Sequence, residues 1–126
     1  MKKKIIMATM LIGLALCIPT HAHASTRTAK SQVQLERLLA DESTDTIKIS
    51  TAKKTTLTIP RGDYDKKLVI NAPNLRIVNR GKFSGITIEN LIKYTEKSKG
   101  NALNITDSKL SIDVSKNASL KNIIVN

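Results

Sequence analysis

The sequence has a single cysteine, Cys17, and two histidines, His21 and His23, and all three fall within its first two dozen positions. That opening segment, 1–24, reads as an export signal. Lys2, Lys3 and Lys4 form a positive n-region, Ile5 to Ile18 an apolar run, and Ala22-His23-Ala24 a small-x-small cleavage site. The apolar run is short for a membrane span and a polar segment follows it. Leu16, ahead of Cys17, is not the small residue that lipoprotein processing requires. Cleavage is expected after Ala24, leaving one domain over 25–126. The mature domain then has no thiol, no disulfide and no imidazole. Zinc sites built on Cys or His, Ser-His-Asp triads and Cys-His dyads are excluded, and no metal or other cofactor is expected. A disulfide-free exported chain fits a fold held by repetitive packing.

Aromatic residues are also scarce, at 2 %, and tryptophan is absent. That argues against nucleic-acid readers, which stack bases on aromatic rings. Acidic residues are outnumbered, 10 against 21 basic, giving a formal net charge of +11. For a protein that is secreted or held in the cell envelope, the expected partner is an acidic polysaccharide or another anionic envelope polymer.

What the chain does contain is a repeat. Leu57-Thr58-Ile59, Leu75-Arg76-Ile77, Ile92-Lys93-Tyr94 and Leu110-Ser111-Ile112 form one track of apolar–variable–apolar triplets. Ile47-Lys48-Ile49, Leu68-Val69-Ile70, Ile86-Thr87-Ile88 and Leu103-Asn104-Ile105 form another, ending in a run from Leu120 to Val125. Each track recurs at roughly 17–18 residues, within the range of solenoids. Each triplet alternates as a strand with one buried face does. The tracks interleave strictly, one short connection and one long one apart. The unequal steps favour a right-handed coil over a left-handed one with its equal steps. The expected fold is all-β: a small right-handed parallel β-helix of about four coils.

Ser25 to Lys30 is expected to be a mobile polar lead-in. Ser31 with Gln34 makes a capping-box pattern, and a helix over about 32–42 carries Val33, Leu35, Leu38 and Leu39 on one stripe. Such a helix would cover the solenoid's first end, where strand edges and core are otherwise open. The short connections hold Asn or Asp, which turn the chain through their own side chains. Gly62, Gly81, Gly85 and Gly100 lie in long connections and suggest positive φ there. Tyr64 and Phe83 occupy equivalent points of two long connections, where they close a third side of the core.

A helix, then Thr46-Ile47-Lys48-Ile49, then Pro60-Arg61-Gly62-Asp63-Tyr64, then Leu68-Val69-Ile70-Asn71, Leu75-Arg76-Ile77-Val78 and Gly85-Ile86-Thr87-Ile88 resembles the N-terminal coils of the pectate-lyase-like (pectin-lyase-like) right-handed parallel β-helix superfamily. In that superfamily a capping helix precedes a strand and a Pro-x-Gly-x-Tyr turn, and coils follow. The resemblance implies polysaccharide lyases that use clustered acids, calcium and an Arg or Lys base, or hydrolases that use close aspartates. This chain has no Asp-Asp pair and no Asp repeated along one track. Asp63 and Asp65 supply at most part of a calcium site and read better as turn residues beside Arg61 and Lys66. Arg76 is the one arginine expected to project from a strand where a lyase base would stand. No catalytic residue and no metal ligand carries over.

The binding candidates are basic residues of the long connections: Arg61, Lys66 and Lys67 in the first, Arg80 and Lys82 in the second, Lys97 and Lys99 in the third, with Lys116 in the fourth. Coils about 4.8 Å apart would align them into a basic edge suited to a linear polyanion. Asp63, Asp65, Glu96 and Asp113 share those connections and would dilute it. Arg61-Gly62-Asp63 matches an adhesion tripeptide, but the glycine turn accounts for it. The expected function is a non-catalytic binding or structural module, with a truncated or degenerate polysaccharide-lyase-like enzyme as the alternative. The apolar strand Leu120 to Val125 lacks a second cap. It is expected to be covered, by further coils or by self-association through that edge.

Overall fold

Every second residue of Thr46-Ile47-Lys48-Ile49-Ser50 is β-branched and apolar, which suits a pleated strand with one face in a core. The same alternation recurs one turn later and builds a parallel β-solenoid of about five turns. The computed structural model describes residues 25–107 and 109–126. The segment 1–24 read as an export signal, with Cys17, His21 and His23, and Ser108 of one short connection lie outside the described residues.

The chain runs β1 (Thr26–Ala29), α1 (Gln32–Ala40), β2 (Thr46–Ser50), β3 (Thr56–Asp63), β4 (Lys67–Asn71), β5 (Arg76–Lys82), β6 (Gly85–Asn90), β7 (Lys93–Glu96), β8 (Lys99–Ile105), β9 (Ser111–Val114) and β10 (Ser119–Val125). One sheet has the order β1-β2-β4-β6-β8-β10 and the other β3-β5-β7-β9, with every pair parallel. Their inner faces meet. Ile47, Leu68, Ile86 and Leu103 stack in one column of the first sheet, and Ile49, Ile70, Ile88 and Ile105 in the next. Across the core, Leu57, Ile77, Tyr94 and Ile112 stack in the second sheet. The expected walls hold, with Leu110 and Ile112 only partly buried near the last turn.

Ser25 to Lys30 departs from expectation. Thr26–Ala29 is a strand paired with β2, so it adds a rung ahead of the helix. Ala29 is buried in the core, which the polar letters around it concealed. Helix α1 ends at Ala40 rather than near 42, because the Asp41 N–H bonds Leu38 O and leaves the helical path. Its start follows the capping pattern: Ser31 Oγ accepts from Gln34 N at 3.3 Å, and Gln34 Oε1 accepts from Lys30 N at 2.8 Å. Leu35 and Leu39 cover the core, but Val33 is 66 % exposed. It lies two residues from Leu35, about 200° around the helix, and so points away. The helix also protects the edge of β3. The Gln32 side-chain amide donates to Thr58 O at 2.7 Å and accepts from Thr58 N at 3.0 Å, as a neighbouring strand would.

The third side is formed where β3 and β5 continue past their sheet. Register passes from Ile59↔Asn79 to Gly62↔Gly81 through a bulge at Pro60 and Arg61. The Tyr64 ring lies over both glycines. A Cβ on Gly62 would stand 2.6 Å from Tyr64 Cζ, and one on Gly81 would stand 2.5 Å from Tyr64 Cε2. Tyr64 OH donates to Pro60 O at 2.8 Å, and its ring meets Phe83 at a centroid distance of 5.2 Å. Positive φ is therefore not what those glycines supply. Among the described residues it occurs at Gly100, with φ 85°.

Candidate functional site

Eight basic residues were expected on one edge, and the fold sorts them. Arg61, Lys67, Arg80, Lys82, Lys97, Lys99 and Lys116 are exposed. Lys66 is not. Only 8 % of it is exposed, and its Nζ donates to Asp41 O at 2.7 Å and to Thr44 O at 2.8 Å. Those carbonyls belong to the turn after α1. The Asp41 side chain accepts from Ser43 Oγ, Ser43 N and Thr44 Oγ1, and these bonds, the Ser43 hydroxyl first, hold its carboxyl below the usual aspartate value. Lys66 thus ties the capping helix to the next turn and is withdrawn from any ligand surface.

The exposed cations do not form one line. Lys67 opposes Thr46 on one side and Gly85 on the other in the first sheet, to which Lys99 also belongs as the first residue of β8. Arg80 and Lys97 each follow the register pair Asn79↔Glu96, and Lys97 N donates to Asn79 O at 2.8 Å, so the two stand one strand apart. The stem of Lys82 lies against Gly100, its Cε 3.2 Å from where a Cβ would be, with Lys99 next in the chain. Asp63 opposes Lys82 across the strands and tempers it.

Glu96, expected to dilute the edge, does not reach it. It is fully buried and turned into the core, where Tyr94 OH, Asn101 Nδ2 (2.8 Å) and Ser98 N (3.2 Å) donate to its carboxylate. Asn79 Nδ2 donates to Tyr94 OH at 2.9 Å, and Asn79 Oδ1 accepts from Gly81 N at 2.8 Å. Asn101 bonds Phe83 N and Gly81 O, each at 2.9 Å. The network satisfies backbone groups where the chain bends between sheets. Burial, then the Glu96 charge beside it, pushes the Tyr94 phenol well above its ordinary value of 10.0.

Two shallow clefts, of about 300 and 340 Å³, flank Tyr64. Both are lined by Asp63 and Asp65; the first adds Glu42, Asp45 and Lys66, the second Lys82, Phe83 and Ser84. Among the described residues, no group of three or more His, Cys, Asp or Glu is placed to hold a metal ion. Arg76 is exposed on β5 and faces Lys93 of β7 directly, but it is not the one exposed strand arginine that was expected, since Arg80 stands on the same strand, Arg27 on β1 and Arg61 on β3. Lys93 was missed as a candidate, although Arg76 and Lys93 are the variable middle residues of successive triplets. Comparison with protein-family models, curated proteins and solved structures finds no match to this chain.

Proposed function

We propose that this protein is an exported, non-catalytic binding or structural module of the cell envelope or extracellular space that holds acidic polysaccharide on its basic edge. The observation that carries the reading is the stacking of Arg80 beside Lys97 on adjacent turns, both exposed, with Glu96 turned inward. Two cations one strand spacing apart can share one carboxylate through charge-assisted hydrogen bonds. The finer kinship belongs to the same proposal. A capping helix, a strand, the Pro60-to-Tyr64 turn and successive parallel turns are consistent with a right-handed β-helix of pectate-lyase-like type. A degenerate lyase-like enzyme is the second reading, placed at the clefts lined by Asp63 and Asp65.

The test is retention of the mature domain on immobilised polygalacturonate. Binding should fall as salt rises and collapse in Arg80→Glu/Lys97→Glu. Retention indifferent to both removes the binding reading. Unsaturated uronate product appearing in solution, with or without added calcium, replaces it with the enzyme.

A further inference from the structure

A basic edge along the solenoid axis would need cations on every turn, and the register does not give them. Proceeding along the axis from Arg80 and Lys82, one meets Asp63 opposite Lys82 on β3, and beyond β7 Asp113 opposite Thr95 on β9. Across the axis, along the strands, the picture differs. Ile77, Asn79, Gly81 and Phe83 are buried, so Arg76, Val78, Arg80 and Lys82 take the outward side of β5 and its end. Tyr94 and Glu96 are likewise buried, so Lys93 and Thr95 face outward on β7 and Lys97 follows at its end. Register places Arg76 beside Lys93 and Val78 beside Thr95, and Arg80 and Lys97 follow in step.

Four cations thus stand in two successive pairs on neighbouring turns, with no carboxylate on the outward side of either strand. At a strand rise of about 3.3 Å the two pairs fall about 13 Å apart, each one strand spacing of about 4.8 Å wide. Val78 and Thr95, both half-buried, make a low saddle between the two pairs.

We propose that a linear acidic polysaccharide lies along β5 and β7, transverse to the solenoid axis, with Arg76 and Lys93 as its first clamp. This rests on the polyanion-binding reading above and gives it a direction and two further residues. Each pair takes an anionic group of the polymer between two donors, and the saddle receives an uncharged part of a sugar ring. A single-stranded nucleic acid fits this surface poorly, since Tyr94 and Phe83 are buried and offer no ring for a base. An anionic bilayer fits it poorly too, since none of the seven outward residues is an exposed large apolar side chain.

Two double variants remove equal charge from the two directions. Arg76→Gln/Lys93→Gln lies on the transverse path alone, and Arg61→Gln/Lys116→Gln on the axial edge alone. Binding of polygalacturonate by the mature domain should weaken by about tenfold in the first and less than about twofold in the second, with a shallower salt dependence only in the first. The charge-keeping exchange Arg76→Lys/Lys93→Arg should restore most of the loss, which separates lost contacts from a damaged fold. Equal losses in both variants, or a loss confined to the second, overturn the transverse path and leave polyanion binding standing. No binding by the unaltered protein removes both. Tighter binding to a single-stranded oligonucleotide or to phosphatidylglycerol vesicles overturns the choice of polymer.

Discussion

Replacing Gly62 by alanine should destabilise the protein, and it should do so only while Tyr64 is present. The three atoms nearest the new methyl all belong to the Tyr64 side chain: Cζ at 2.6 Å, OH at 2.8 Å and Cε1 at 2.9 Å. No real Cβ tolerates that, so the ring must leave. Leaving breaks the bond from Tyr64 OH to Pro60 O, worth about 0.5–1.5 kcal/mol. It also breaks the ring contact with Phe83, worth about 0.5–1.5 kcal/mol beyond its area. Gly62 φ is not in the left-handed region, so alanine brings no backbone strain of its own. The expected cost is about 1–3 kcal/mol, read as a lower urea midpoint at unchanged slope. In a Tyr64→Ala background those three contacts are absent. There it should be neutral or stabilise by about 0.4–1 kcal/mol, because alanine restricts the unfolded chain more than glycine does. A cost of the same sign and size in both backgrounds would refute the reasoning, since the Tyr64 ring could not then be its cause.

Ile88→Ala should cost about 2–5 kcal/mol in urea unfolding while Thr87→Ala, on the outward side, stays within about 0.5 kcal/mol; equal effects would mean the strand phase is inverted. Lys66→Met should cost about 1–3 kcal/mol by stranding Asp41 O and Thr44 O, yet leave polygalacturonate retention unchanged; reduced retention in a folded variant would return Lys66 to the ligand surface. The Tyr94 phenol titrates above 10.0 in the fold and near it when unfolded, so its stabilising contribution is complete below that pH and declines as pH rises beyond it. Alkaline titration by ultraviolet absorbance should therefore show tyrosinate from Tyr94 only as the protein unfolds, and a native spectrum with Tyr94 ionised near pH 10.0 would contradict its burial. On β10, Ile123, Ile124 and Val125 are 46, 52 and 69 % exposed, and concentration-dependent self-association should appear in sedimentation and be relieved by Ile124→Lys. A strictly monomeric profile for both proteins would count against that edge as a contact.

The repeat was legible because core residues of a solenoid alternate with period two and return once per turn. Those two periods name Ile47, Leu68, Ile86 and Leu103 without any coordinates. What the letters concealed was where polar residues substitute for apolar ones. Asn79 and Glu96 occupy the column of Ile59, as their register shows, and Thr26–Ala29 carries one buried alanine among polar neighbours. Sequence alternation records hydrophobicity, and an inward residue that bonds bent backbone looks like a loop residue in it. The candidate site suffered the same way. Lys66 and Lys67 are adjacent letters, but one is drawn in by two carbonyls and the other stands on a different sheet from Arg80. Triplet alignment also matched Leu57 with Leu75, whereas Leu57 pairs with Ile77, two residues on, of which the bulge at Pro60 and Arg61 accounts for one.

Every strand in the two sheets finds its partner one turn away, at separations of 17 to 21 residues. No strand pairing joins distant parts of the chain, and the helix closes one end. Tension applied between the ends should therefore meet no single barrier. It should peel the last turn first, then the next, each release adding about 6–7 nm of slack at about 3.4 Å per residue. The turn tied to the helix by Lys66 and Gln32 is the one placed to yield last.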